Sequence, residues 1–248
     1  MAFEDHFSRL AATYAAYRPG YPEALFDFLA GAAPGRELAW DCGTGNGQAA
    51  CALAAYFRRV VATDASREQI ERAIPCERVA YRVEPAEAVS IPSGTVDLVT
   101  VAIAVHWFDL DRFYEEVRRV LQPGGVLAVW GYHLLRVDPA VDRIVERYYR
   151  DVVGAYWPER FRYVDEKYET LPFPFAEIPA PKFEISAEWT LDQVAGFLAS
   201  WSASRRYVEA VGEHPLDEVW DDLRTAWGSD DLRRRVRWEL YVRVGRAA

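Results

Sequence analysis

Apolar and polar positions follow three rhythms along the chain. Between residues 38 and 130, short apolar runs rich in Val and Leu recur at 38–41, 60–64, 79–83, 96–101 and 126–130. They show little polar alternation, which is the pattern of strands buried on both faces, and helical stretches separate them, so they predict a parallel sheet of α/β type. The clearest helix follows Phe108. There Leu110, Phe113, Tyr114, Val117, Val120 and Leu121 share one face at three- and four-residue spacing. Asp109 or Asp111 can cap its start, and Pro123-Gly124-Gly125 is expected to end it. The last segment has a period of two: Val236, Trp238, Leu240, Val242 and Val244 face one way, Arg237, Glu239 and Arg243 the other. It predicts a strand with one face better covered than the other.

The remaining chain divides around this core. Residues 1–35 read as a mostly helical arm closed by the breaker run Gly31 to Gly35, and residues 36–131 as the core. Residues 132–230 read as a cap or insert, dense in aromatics to residue 182, broken at Pro172, Pro174, Pro179 and Pro181, and helical again at 191–201 and 216–227. Residues 231–248 hold the final strand. With no linker visible, residues 1–248 are expected to form a single domain.

Composition narrows the class. At 248 residues, 51% hydrophobic and 27% charged, the chain is globular rather than disordered. Its net charge of -9 argues against binding the phosphate backbone of nucleic acid. Cys42, Cys51 and Cys76 make no CxxC pair and no zinc spacing, which fits a reducing compartment and no metal. The N-terminus lacks an apolar signal segment, and the most apolar stretch is far shorter than the roughly 20 residues of a membrane helix. A cytoplasmic protein, monomeric or dimeric, with a small-molecule substrate is the expectation.

The strongest local signal is Asp41-Cys-Gly43-Thr44-Gly45-Asn-Gly47-Gln48, which follows the first apolar run and opens a helix. Glycines let backbone turn tightly and approach a ligand, and a helix N-terminus offers N–H groups to an anionic group. A second carboxylate, Asp64, ends the second run about 20 residues on, where an acidic side chain can accept ribose hydroxyls. The third glycine comes one residue early for a dinucleotide fingerprint. Asp-x-Gly-x-Gly-x-Gly instead resembles the first motif of class I S-adenosylmethionine-dependent methyltransferases, in which the Asp41 position serves the ammonium of the cofactor. Pro85-Ala86-Glu87 with Gly94-Thr-Val-Asp97-Leu-Val, and Leu121-Gln-Pro-Gly-Gly125, resemble stretches of the methyltransferase type 11 family.

That resemblance implies a Rossmann-like, doubly wound, seven-stranded and mostly parallel sheet with an antiparallel last strand. It also implies S-adenosyl-L-methionine as cofactor, held by Asp41, Gly43, Thr44, Gly45, Gly47, Asp64, Ala65, Ala86 and Glu87. The arm Phe7 to Pro22 and the Ala104-Val-His106-Trp107-Phe108 segment resemble trans-aconitate methyltransferase-like small-molecule enzymes. By that resemblance Tyr14 and Arg18 touch the methionine end of the cofactor; as plain sequence they equally fit a helix packed through its aromatics. His106 is the catalytic candidate, as general base or as an orienting group, and Trp107 joins it in binding substrate. The expected reaction is methyl transfer to a small molecule, an acidic acceptor among the options. A nicotinamide-dependent oxidoreductase and a non-catalytic S-adenosylmethionine-binding protein are the alternatives.

Overall fold

The computed structural model describes residues 19–229 and 231–247. The residues group into two compact bodies. One comprises Tyr21–Tyr132, Arg162–Phe183 and the segment from Glu239 onward; the other is built from His133–Phe161 and Glu184–Trp238.

The first body carries the sheet. Its strands are β1 (Leu38–Cys42), β2 (Arg59–Asp64), β3 (Val79–Val83), β4 (Val96–Ala102), β5 (Leu121–Tyr132) and the short β6 (Ala176–Ile178). Two further strands, β7 (Phe183–Trp189) and β8 (Arg234–Arg246), are made of residues from both groups. The order is β3-β2-β1-β4-β5-β8-β6, with β7 pairing off this path onto β8. Neighbours from β3 to β5 are parallel, whereas β8 runs antiparallel to both β5 and β6. The sheet is therefore the doubly wound, mostly parallel kind, with its last strand reversed. Eight strands are present among the described residues where seven were expected. β6 and β7 fall in or just after the proline-rich stretch, where three-residue pairing and surface alternation leave little apolar signal.

Burial explains the central runs. All five residues of β1 are buried, as are the first six of β4. At the far end of these strands Asp97 accepts the amides of Glu37 and Leu38 at 2.8 and 2.9 Å, tying the entries of β1 and β4 together. The helix Leu110–Val120 buries Phe113, Tyr114, Val117 and Val120, and Asp109 caps it by accepting from the Arg112 amide. It stops one residue short of the expected Leu121. The Pro-Gly-Gly run does not lie in a free turn: Leu121 already pairs with Val96, and a register shift follows before Leu98 meets Val126.

The second body has an aromatic core of its own. Trp238 meets Trp189 and Phe197 edge-on at 4.8 and 5.5 Å, and those two rings lie tilted at 5.8 Å. Tyr149 and Trp157 pack together with Trp201, and the Tyr148 hydroxyl pairs with Ser204 Oγ at 2.7 Å. The helix Pro139–Arg147 starts at Asp138, which accepts the Ala140 and Val141 amides and pairs with Arg234.

Candidate active site

Three glycines shape the turn after β1. Gly43, Gly45 and Gly47 all have positive φ, at 66°, 56° and 86°, a region costly for other residues. Two of them also lack room for a side chain. A Cβ on Gly43 would lie 2.7 Å from the Ala104 Cβ, and one on Gly47 would lie 2.3 Å from the Tyr81 hydroxyl. A Cβ on Gly45 would meet only Gln69, at 4.0 Å. The loop is thus packed from below at 43 and 47 and open at 45.

Its amides are not an anion cradle. Thr44 N donates to Thr63 O, Gly47 N to Thr44 O, and Gly45 N to Asp64 Oδ2 at 2.9 Å. The sequence expectation of amides offered to an anionic group is therefore corrected at these three positions: the protein's own oxygens already take them.

Carboxylates converge there instead. Asp41 is buried at the end of β1, and its oxygens accept from the Thr44 and Thr100 hydroxyls at 2.6 and 2.7 Å. Burial outweighs these bonds and pushes its pKa up to about 6. Asp64, at the end of β2, accepts from the amides of Gly45 and Ser66 and keeps lone pairs for a ligand hydroxyl. Glu87 accepts from the Asp109 amide at 2.9 Å. Burial, and after it the charges of Asp41, Glu87 and Asp64, push the neighbouring Cys42 thiol well above its usual range. No ion pair among the described residues neutralises these three acids. Such a loop suits a cationic ligand with ribose hydroxyls and repels a diphosphate. Ala65 is exposed beside Asp64, and Ala86 is buried beside Glu87. Tyr14 and Arg18 lie outside the described residues.

The turn after β4 sits directly on the glycine loop, through Ala104 and Phe108 against Gly43. Ile103 opens it with φ 53°, a strained value for a β-branched residue, and its amide donates to Trp130 O. His106 and Trp107 lie on the 3₁₀ turn Val105–Trp107. His106 is 2% exposed and Trp107 45%, their rings 4.8 Å apart. Burial lowers the His106 pKa to about 4, so its imidazole is neutral at physiological pH. His106 Nδ1 lies 3.3 Å from the Tyr168 hydroxyl.

The sequence does not single out Thr100, which sits inside an apolar run, and it marks Phe108 only as the end of the 104–108 segment and Tyr168 only as one of the aromatics of the 132–182 stretch that could wall a pocket. It also does not show the meeting of Cys51 and Tyr81, whose sulfur and hydroxyl lie 3.5 Å apart beneath Gly47. Among the described residues no cluster of His, Cys, Asp and Glu could hold a metal. No helix there is long and apolar enough to cross a membrane.

Comparison with known proteins agrees with this chemistry. Residues 40–129 match the family model described as a methyltransferase domain. A solved structure from Anaeromyxobacter dehalogenans, provisionally described as a type II methyltransferase, is similar at 46% identity and TM-score 0.86, covering 92% of this chain and 97% of that one. A Dictyostelium discoideum protein provisionally named a methyltransferase is 34% identical, over 92% of this chain and 89% of its own. A Saccharomyces cerevisiae protein provisionally named an S-adenosylmethionine-dependent methyltransferase is 31% identical, over 93% of each. These similarities set aside the nicotinamide reading, and the acids at the glycine loop, which have no ion-pair partner among the described residues, point the same way on electrostatic grounds. The chain belongs to the class I S-adenosylmethionine-dependent methyltransferases, and S-adenosylmethionine is its cofactor.

Proposed function

We propose that the enzyme methylates a small carboxylic acid. In this reading Asp41, Gly43, Thr44, Gly45, Gly47, Asp64, Ala65, Ala86 and Glu87 hold the cofactor, and His106 with Trp107 faces the acceptor. One observation carries it: the turn bearing a buried, neutral histidine lies against Gly43 of the cofactor loop. When bound, the cofactor supplies an activated methyl whose bond to sulfur breaks, the electron pair staying on sulfur, as the acceptor's lone pair bonds to carbon.

The protein's task is then alignment and exclusion of water, and proximity alone is worth roughly 7–11 kcal/mol. A carboxylate is ionised at neutral pH and needs no base. An alcohol, phenol or carbon acid needs one, and an imidazole with pKa about 4 is a weak base. A neutral histidine can still donate a hydrogen bond to a carboxylate oxygen and orient it. Location in the cytoplasm and action on a free small molecule belong to the same proposal; the acidic balance of the chain argues against nucleic acid as the acceptor.

The test is methyl transfer from labelled S-adenosylmethionine to a panel of mono-, di- and tricarboxylic acids, trans-aconitate included, beside phenols, amines and thiols. An ester releases its label as methanol in alkali. Alkali-labile product from an acid is the expected result; turnover confined to phenols, amines or thiols overturns the proposal.

A further inference from the structure

We propose that Tyr168 is a positioning residue for methyl transfer: it fixes His106 as the tautomer with its proton on Nε2, so that the imidazole meets the acceptor as a hydrogen-bond donor. The inference rests on the reading above that His106 faces the acceptor, and it deepens that reading by assigning what the ring offers.

Tyr168 decides which ring nitrogen carries the proton. Its side chain is fully buried, and among the described residues its hydroxyl has one recorded partner, His106 Nδ1 at 3.3 Å. A buried O–H left without an acceptor loses its full solvation, whereas a phenol oxygen with an unused lone pair loses less. The hydroxyl proton therefore goes to Nδ1. Burial also keeps the phenol protonated, since it pushes the Tyr168 pKa far up. An imidazole that accepts at Nδ1 and is neutral carries its proton at Nε2. That nitrogen donates and cannot take a proton from an acceptor.

Tyr168 is held too firmly for this to be a chance contact. Lys167 and Tyr168 are consecutive non-glycine residues with positive φ, 49° and 61°, a backbone that persists only where its surroundings over-determine it. The surroundings come from β8 and the end of β5. Arg243 Nη1 donates to the carbonyls of Tyr168 and Leu171 at 3.0 and 2.6 Å, while the same guanidinium pairs with Glu177. The Tyr241 ring stands edge-on to the Tyr168 ring at 5.0 Å. Gly131 makes room for it, because a Cβ there would lie 2.5 Å from the Tyr241 ring. Lys167 itself pairs with Glu239 at 3.0 Å. Two residues of β8, one glycine of β5 and an ion pair thus converge on the turn that delivers one hydroxyl to one ring nitrogen.

The consequence for substrate class is direct. A donor at Nε2 recognises an acceptor oxygen bearing lone pairs and negative charge, which a carboxylate presents. It gives no help to a group that must first lose a proton.

The test uses the whole chain labelled with ¹⁵N, without substrate. The His106 ring is identified by the signals that vanish in His106→Gln. The expected spectrum shows Nε2 protonated and Nδ1 bare and hydrogen-bonded, and Tyr168→Phe shifts the Nδ1 resonance and mixes the tautomers. A proton on Nδ1 in the unmutated protein overturns the proposal whether or not any variant folds, as does an unchanged His106 spectrum in folded Tyr168→Phe. With whichever acid the panel shows to be turned over, Tyr168→Phe raises KM at least about fivefold while kcat stays within about twofold and S-adenosylhomocysteine affinity is unchanged. An unaltered KM overturns the positioning role. If no acid is turned over, the function proposal fails on the panel while the tautomer is still decided by the spectrum.

Discussion

Two turns leave the same edge of the sheet, one after β1 and one after β4, and they solve the same geometric problem in opposite ways. Both need backbone in the left-handed region. The first uses glycine at all three such positions, 43, 45 and 47. The second uses Ile103, and the segment that braces it uses Lys167 and Tyr168, none of them suited to that conformation. Both also bury a titratable side chain in its neutral-favouring direction. Asp41 is raised to about 6 and His106 lowered to about 4. The first turn is permissive backbone around a buried acid; the second is strained backbone pinned by packing around a buried base. A loop that must admit a ligand close to its main chain gains from missing side chains. On the proposed role of His106, a turn that presents one ring atom gains from being over-determined.

The two buried groups give the largest predicted effect, because their pH slopes oppose. Folded Asp41 holds its proton to about pH 6, whereas the unfolded chain releases it near 3.8. Its contribution therefore falls as pH rises from about 4 to 6, by about 3 kcal/mol. Folded His106 takes a proton only near pH 4, whereas the unfolded chain takes it near 6.5. Its contribution rises across nearly the same window, by a similar ~3 kcal/mol. The pair should nearly cancel in the unmodified protein. Urea unfolding between pH 4 and 7 should show Asp41→Asn gaining stability with pH relative to wild type, and His106→Gln losing it. Two variants that track the wild-type profile would remove both groups from this account.

Gly43→Ala comes next. The left-handed φ costs an L-residue about 1–2 kcal/mol, and the new methyl meets Ala104 in the opposing turn. Cofactor affinity by calorimetry should fall roughly tenfold to a hundredfold, and turnover with it. Full affinity in this variant would mean that the loop is not tightly built and the contrast with the β4 turn is unfounded.

The smallest effect is expected at Ile103. In Ile103→Gly, release of strain of roughly 1–3 kcal/mol is offset by the greater chain entropy of glycine and by the lost side chain. Global stability should change by no more than about 1 kcal/mol, while the turn slackens and KM for the acceptor rises. A loss of stability above about 2 kcal/mol would show a side chain that holds the turn by packing rather than one tolerated in spite of its backbone.

The β1 turn was legible in the sequence because its determinants lie within eight residues, and Asp64 because it ends the next strand. The sheet was legible for the same reason: strands buried on both faces announce themselves as apolar runs. The proposed acceptor side was only half legible. His106 and Trp107 could be marked by position, but Tyr168 lies 62 residues away, and the residues that pin it, Tyr241 and Arg243, lie further on. No periodicity links a tyrosine in a proline-broken stretch with an arginine on the outward face of a later strand. β6 escaped notice because three residues show no period, and β7 because its alternation of Phe183, Ile185 and Trp189 with polar residues follows directly on a proline-broken stretch.

The contact between Gly43 and the Ala104-Phe108 segment also bears on how such an enzyme can change its substrate over evolutionary time. The β4 turn packs on Gly43 and is moored to Glu87 through the Asp109 amide, so on the proposed assignment of those two residues to the cofactor, edits within it disturb cofactor binding as well. The turn around Tyr168 is anchored on β8, and its one tie to the β4 turn among the described contacts is Tyr168 itself, through His106. On the proposed roles, libraries aimed at new acceptors belong at residues 162–171, with Tyr168 kept, before they belong at 103–108.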